Sequence, residues 1–307
     1  MKKILVIYYS QSGQLTDIVR SALGPLEKNP NISVCYEALK PGNPFPFPWT
    51  TLEFCDVFPE SVEDIPCELE PFAFNADEDF DLIILAYQVW YLSPSIPVAT
   101  FLKSPEARRV MRGRPVLTLI GCRNMWLLAH ERVKTRLHDM GARLAGNIVL
   151  ADRTSNLIGV ITIAFWMLTG KKERFLNLFP LPGVSDQDIS DAERFGTLIL
   201  ESLENGKTEL SQSLLNQHEA VTVNPGYLIF EKRIIRIFKV WSKFILRKGK
   251  QGDPQRRPRV RLFLAYLLFA ITFFAPLSTL ASGLIQIFRR KQIREQVRYF
   301  SQNELGD

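Results

Sequence analysis

The chain opens with MKKILVIYYSQSGQLT, and no other stretch limits its fold as strongly. Ile4 to Tyr9 is a short uncharged run of β-branched and aromatic residues, the pattern of a strand buried on both faces of a parallel sheet. It runs directly into Ser10-Gln11-Ser12-Gly13-Gln14-Leu15-Thr16, and a helical pattern begins at Asp17. Hydroxyls and a glycine at a strand-to-helix turn can cradle an anion. Backbone N–H groups point at the ligand, and the helix adds the positive end of its dipole. Gly13 can take a positive φ at little cost, which such a turn often needs. An ordinary βα turn with a helix cap would read the same way, so the loop alone leaves both open.

Strand and helix signals alternate through the first two-thirds of the chain, which predicts a parallel sheet with helices on both faces. Strands are expected at Lys3–Tyr9, Ile32–Leu39, Asp81–Tyr87, Pro115–Gly121 and about Leu144–Leu150. Helices are expected at Thr16–Leu26, about Leu128–Met140, and from about Asp186 to Glu204 with Ser185 as cap. Five strands in this order suit a doubly wound sheet with its ligand at the carboxyl ends of the strands, near the switch point. Two long insertions interrupt the pattern, at about 41–79 (NPFPFPWTTLEF and CDVFPESVEDIP) and about 153–183. Long ordered connections of this kind are usually functional. Leu157 to Leu168 in the second is apolar apart from Thr162, too short to span a bilayer, and suits core packing or an interfacial entrance.

Three loops should converge at the strand ends. The first is Ser10–Thr16. The second follows the third strand as Tyr87-Gln88-Val89-Trp90-Tyr91-Leu92-Ser93-Pro94, and the third is Gly121-Cys122-Arg123-Asn124. One phosphate loop and two loops flanking a flat ring, with aromatic faces and backbone hydrogen bonds, is what a flavin requires. On these residues the chain resembles the flavodoxin-like family over roughly residues 1–205. Ser10-Gln11-Ser12-Gly13-Gln14-Leu15 follows the form S-x-T-G-x-T. Tyr87-x-Val89-Trp90-Tyr91, followed by Pro94, Pro97 and Phe101-Leu102, resembles Y-P-x-W-W-G and its proline-rich turn.

The resemblance implies a flavodoxin-like, doubly wound five-stranded α/β sheet that binds FMN. Ser10, Ser12 and Thr16 hydroxyls, with the amides of Gly13, Gln14 and Leu15, would hold the phosphate beside Gln11. Trp90 and Tyr91 would flank the ring with Tyr87, Gln88 and Val89 nearby, and Gly121, Cys122, Arg123 and Asn124 would reach its pyrimidine side. Departures from the family form are Leu15 for a hydroxyl, Gln88 for a proline, Leu92 for a glycine, and bulky Arg123 and Trp126. Arg123 is the one candidate catalytic side chain. More narrowly, YYSQSGQLT with the PFPW and FPES segments resembles the flavodoxin-fold proteins associated with dialkylresorcinol biosynthesis in bacteria. That would imply flavin-dependent dehydrogenation of a cyclohexanedione, or an accessory role beside a ketosynthase.

Other chemistry is poorly served. His130 and His138 lie eight apart on one expected helix, which is not the spacing of a metal pair, and both read as surface or capping residues. Cys35, Cys55, Cys67 and Cys122 form no CxxC pair, which argues against zinc and against a disulfide framework, and Cys122 reads as buried packing. The first apolar run is too short for a signal peptide, so the body is expected in a reducing cytoplasm.

Charge is divided along the chain. From Asn224 onward 17 Lys and Arg stand against 5 Asp and Glu, a balance of +12, whereas the whole chain carries +6 and the remainder therefore −6. A basic tail on an acidic body points to nucleic acid or an anionic membrane. Leu262 to Phe288 has no charged residue or histidine and is fenced by arginines on both sides, which favours the membrane over nucleic acid. As a helix it would reach about 40 Å against a bilayer core of about 30 Å. Pro276 leaves open a single kinked span or a re-entrant hairpin. Gly226 to Lys248 sets Ile234, Ile235, Phe238, Trp241 and Ile245 against a basic face, the pattern of an interfacial helix or of a surface helix packed on the body.

The chain thus divides into 1–205, a polar linker at 206–223, and a membrane-associated helical region at 224–307. The expected function is FMN-dependent oxidoreduction of a lipophilic substrate at the cytoplasmic face of a bacterial inner membrane. NAD(P)H is a candidate electron donor, and a redox or biosynthetic protein is a candidate partner. The alternatives are a non-enzymatic electron carrier serving a membrane partner and a scaffold with a dead flavin site.

Overall fold

In the computed structural model, which describes residues 1–205, 210–274 and 289–305, β1 (Lys2–Tyr8) is the strand expected from the opening stretch. Its side chains alternate between two cores. Ile4 and Val6 face one and Leu5 and Ile7 the other, all fully buried. The further strands are β2 (Ile32–Ala38), β3 (Leu82–Trp90), the two-residue β4 (Ser93–Pro94), β5 (Pro115–Cys122) and β6 (Arg143–Ala151). The parallel strands lie in the order β2-β1-β3-β5-β6, and β4 pairs antiparallel with the end of β3. Counting parallel strands alone, this is the 2-1-3-4-5 order of a flavodoxin-like sheet, whose switch point lies between β1 and β3.

The helices are α1 (Gln14–Glu27), α2 (Thr51–Asp56), α3 (Phe58–Glu63), α4 (Ile96–Phe101), α5 (Pro105–Met111), α6 (Leu127–Asp139), α7 (Asn156–Thr169), α8 (Asp186–Asp191), α9 (Glu193–Asn205), α10 (Gln212–Gln217), α11 (Pro225–Leu246), α12 (Arg257–Phe269) and α13 (Arg290–Ser301). Helices α1 and α9 cover one face of the sheet; α4, α5 and α6 cover the other, joined there by Leu228 of α11 and Ile293 and Phe300 of α13.

Four places differ from the expectation. β3 runs on to Trp90, because its last residues pair with β4. The helix expected from Asp186 to Glu204 breaks at Ala192, where the Phe195 amide bonds back to the Ala192 carbonyl, although Ser185 does cap it by accepting from the Asp188 amide. Within 206–223, expected as a linker, α10 forms. The Gln212 side chain accepts from the Asn147 amide (2.7 Å) and donates to the Asn147 carbonyl (3.0 Å), and the Ala220 carbonyl accepts from the Val149 amide. This segment covers the edge of β6, which would otherwise present unpaired backbone.

The fourth difference concerns the tail. The apolar stripe of α11 does not lie free: Phe238 and Trp241 pack on Phe58 of α3 and Phe263 of α12, with Phe58 and Phe263 stacked at 4.0 Å. The interfacial placement expected for this stripe is therefore corrected, because the chain's own aromatic rings cover it. α12 continues into a π-type turn at Ala270–Phe274, and the rest of the expected membrane segment, 275–288, lies outside the described residues. Among the described residues no helix is long and apolar enough to cross a membrane.

The close approach of α9 to α1 depends on Gly196. A Cβ there would overlap the Ala22 carbonyl oxygen and come within 2.8 Å of Pro25 Cδ. Gly196→Ala is expected to lower stability by about 1–3 kcal/mol through overpacking, despite alanine's better helix propensity. Chemical denaturation measures this, and an unchanged midpoint would show that the two helices sit further apart.

Candidate functional site

The site is built where β1, β3 and β5 end. After Tyr8 the chain turns at Gly13, whose φ of 89° is left-handed, and enters α1 at Gln14. Gly13 offers no side-chain cap, so the first-turn amides of α1 must find acceptors elsewhere. Ser10 Oγ accepts from the Thr16 amide at 3.3 Å. Among the described residues the amides of Ser12, Gly13, Gln14 and Leu15 meet no acceptor. Four successive unsatisfied amides at a helix start, flanked by the Ser10, Ser12 and Thr16 side chains, have the chemistry of a site that can take an anion. Leu15, standing where the family form has a hydroxyl, is buried in the core.

The two glutamines lock this loop. The Gln11 amide donates to Gln88 Oε1 (3.1 Å), joining the first and second loops. Gln11 Nε2 donates to the Phe45 and Pro46 carbonyls, tying the first insertion down. The Gln14 side chain both accepts from the Val184 amide and donates to its carbonyl, each at 3.0 Å.

In the second loop the expected aromatic pair divides. Trp90 is half-buried and meets Tyr9 (5.9 Å), Phe45 (5.1 Å) and Trp49 (6.0 Å) edge to face beside the first loop. Tyr91 turns away with φ 49°, packs on Phe54, Phe58 and Phe238, and donates its hydroxyl to the Phe54 carbonyl. Tyr87 is fully buried, and its hydroxyl lies 3.0 Å from His130 Nδ1. Val89 is half-buried against the same core. Trp90 is thus the ring of this loop that stays beside the Ser10–Thr16 turn.

In the third loop Gly121 and Cys122 end β5, Gly121 lying against the Leu15 and Ile18 side chains, and Arg123 and Asn124 share one polar network. Arg123 donates to the Asn156 carbonyl (3.0 Å) and Oδ1 (2.8 Å), and burial lowers its pKa. Asn124 Nδ2 donates to Asn156 Oδ1 (3.2 Å) and the Tyr227 hydroxyl (3.1 Å), whereas its buried Oδ1 has no partner among the described residues. Arg123 therefore anchors the start of α7 and is not free in the site. Cys122 is buried and its thiol is pushed well up by desolvation, as expected of packing.

Residues distant in sequence complete this loop, and the sequence reading missed them. Glu231, 1 % exposed, caps α6 by accepting from the Leu127 (3.2 Å) and Leu128 (2.7 Å) amides. Desolvation raises its carboxyl to about 7. The available signal was its isolation: it is the one acidic residue of the otherwise basic α11. His130, expected at the surface, is fully buried between Tyr87 and Asn303, with Nε2 2.8 Å from Asn303 Oδ1. The C-terminal helix covers it, which corrects that expectation. His138 is exposed. No group of three or more His, Cys, Asp or Glu among the described residues could hold a metal ion.

The two insertions meet over this edge. The Trp49 amide donates to the Met167 carbonyl (2.8 Å), and Phe47 packs edge to face on Trp166 (6.3 Å). Leu157, Leu176, Leu178 and Leu181 of the second insertion stay exposed.

No family model matches the chain. No curated protein matches it either. Among solved structures it is similar to a flavoprotein in complex with FMN from Lactobacillus acidophilus NCFM, with 17 % identity over 48 % of this chain and 93 % of that one at TM-score 0.38. It is also similar to oxidised Flavodoxin 1 from Bacillus cereus, with 15 % identity over 65 % and 98 % at TM-score 0.35. A third, a flavodoxin from the domain Archaea, has 13 % identity over 66 % and 99 % at TM-score 0.34. The fold assignment rests on the strand order of the sheet itself.

Proposed function

We propose that the chain binds FMN at the carboxyl ends of β1, β3 and β5 and uses it in redox chemistry on a lipophilic substrate. The observation that carries this reading is the row of four acceptor-free amides, Ser12 to Leu15, at the switch point of a 2-1-3-4-5 sheet. The residues fit the group. Ser10, Ser12 and Thr16 hydroxyls and these amides would hold the phosphate dianion against the positive end of α1. Trp90 would flank the ring, with Gln88 and Gln11 fixing the distance between the two loops. Backbone groups of Gly121 to Asn124 and the orphaned Asn124 Oδ1 would face its polar edge. Tyr87 and Tyr91 would contribute through their backbone, since their side chains are committed elsewhere. FMN, when bound, supplies hydride or single-electron transfer.

The roof formed by the two insertions supports an enzyme over a bare electron carrier, because a carrier has no need of a covered substrate entrance. The exposed leucines of the second insertion support a hydrophobic substrate, such as a quinone or an alkyl-chain ring intermediate of the dialkylresorcinol type. The same reading places the protein at the cytoplasmic side of a membrane and takes electrons from NAD(P)H.

Titrating flavin-free protein with FMN and with riboflavin tests the assignment. FMN should bind far more tightly, and Ser12→Asp should weaken FMN by about a hundredfold while leaving riboflavin nearly unchanged, because a carboxylate opposes the phosphate. Absence of FMN binding, or equal weakening of both flavins, would sink the phosphate assignment. NADPH oxidation stimulated by a small quinone then separates enzyme from carrier.

A further inference from the structure

We infer that the groove between α11 and α13 is a headgroup site for an anionic phospholipid. This inference shares the membrane reading of the tail but does not depend on the flavin. The groove has a volume of about 400 Å³. Leu228 and Ile293, 2 % and 8 % exposed, form its apolar floor. Lys232, Arg233, Arg236 and Arg289 stand around it, all exposed. The spacing explains the cluster: Leu228, Lys232 and Arg236 recur every four residues on one face of α11, as do Arg289 and Ile293 across from them.

None of the four cations has a carboxylate partner among the described residues. The feature of this groove is convergence, since four cations from two helices surround one concavity with an apolar floor. Four unpaired like charges around one concavity repel one another, and an anion removes that repulsion. The start of α13 adds to the field, since it has no side-chain cap and no acidic residue in its first turn.

The neighbouring sequence selects a lipid over a soluble anion. Arg289 directly follows the uncharged stretch 262–288. In the described part of that stretch Leu262, Leu268 and Phe273 are more than half exposed. A cationic groove that adjoins an apolar stretch in the sequence matches a phosphate joined to acyl chains.

The test is co-sedimentation of the full chain with phosphatidylcholine vesicles, with and without phosphatidylglycerol. Removing three groove charges (Arg233→Gln, Arg236→Gln, Arg289→Gln) should weaken binding to the anionic vesicles by about a hundredfold, at about fivefold per charge. A matched triple variant on α11 and the turn after it, outside the groove (Lys239→Gln, Lys243→Gln, Lys248→Gln), should lose less than about tenfold, since screened surface charge contributes less than a formed site. Equal losses in the two variants would overturn the proposal in favour of diffuse surface charge. So would binding of glycerol 3-phosphate in free solution as tightly as the anionic vesicles. Far-UV circular dichroism and FMN titration of each variant separate loss of the groove from loss of the fold or of the flavin site.

Discussion

Arg256→Met will destabilise the protein by about 3–5 kcal/mol, the penalty for leaving buried carboxylates without their counter-charge. Arg256 is fully buried. Its Nε donates to Asp56 Oδ1 (2.6 Å), and Nη1 and Nη2 donate to the two Glu60 oxygens (2.6 and 3.0 Å). Asp56 and Glu60 are themselves 9 % and 7 % exposed, so neither can turn to water when the guanidinium is removed. Asp56 Oδ2 also accepts from the Gly252 amide, which couples the turn before α12 to the same cluster. The loss should come from the stranded charges and not from missing attraction. Adding Asp56→Asn and Glu60→Gln to the methionine variant is therefore expected to recover most of it. Urea unfolding of the three proteins measures this. A single variant within about 1 kcal/mol of wild type would mean that water reaches the cluster.

The second large effect is on the pH dependence of stability, where two buried groups act with opposite sign. Burial lowers His130 to about 3. Its unfolded value is about 6.5, so the stability due to the neutral ring is fully present above that pH. It is lost as pH falls towards about 3, by up to about 1.4 kcal/mol per unit. Burial raises Glu231 from 4.5 to about 7, outweighing the two amide hydrogen bonds that favour its carboxylate. Stability linked to the protonated acid is fully present below about 4.5 and is lost as pH rises towards about 7. Between about pH 4.5 and 6.5 these slopes oppose each other, and the wild-type profile should be nearly flat. Glu231→Gln removes one slope, so stability should then climb by up to about 3 kcal/mol across that interval. His130→Gln should do the reverse and make stability fall as pH rises. Unfolding midpoints at three pH values decide it, and a Glu231→Gln profile parallel to wild type would place the Glu231 carboxyl in contact with water.

Both effects arise where the C-terminal helices meet the α/β body, and the second bears on the candidate site. Glu231 caps the helix that leaves the third loop, and Tyr227 of the same α11 accepts from Asn124 within that loop. The tail is thus part of the wall around the proposed pyrimidine edge of the flavin.

How much of this was legible beforehand follows from the range of each interaction. Strand one, the Ser10–Thr16 turn and α1 are contiguous, and their pattern names both the buried strand and the amide-lined turn, because neighbours in sequence decide them. The alternation of the next four strands likewise yields a parallel sheet, since only helical crossovers join parallel strands over such lengths. Trp90 and Tyr91 show the boundary of that reading. Both look like ring-flanking aromatics, yet two successive left-handed residues, Tyr91 and Leu92, send the second side chain to the far cluster.

The amino-acid sequence by itself determined the order of the five parallel strands along the chain, the amide-lined turn after the first of them, and the fact that α11 has an apolar face beside a cationic one. Only the tertiary structure decided what covers that face, that Arg256, His130 and Glu231 are buried, and that Arg123 serves α7. The reason is physical. Periodicity reports that a stripe must be shielded from water but not by what, and the partners that shield these groups lie far along the chain, 104 residues away for Glu231 and Leu127 and 200 for Arg256 and Asp56.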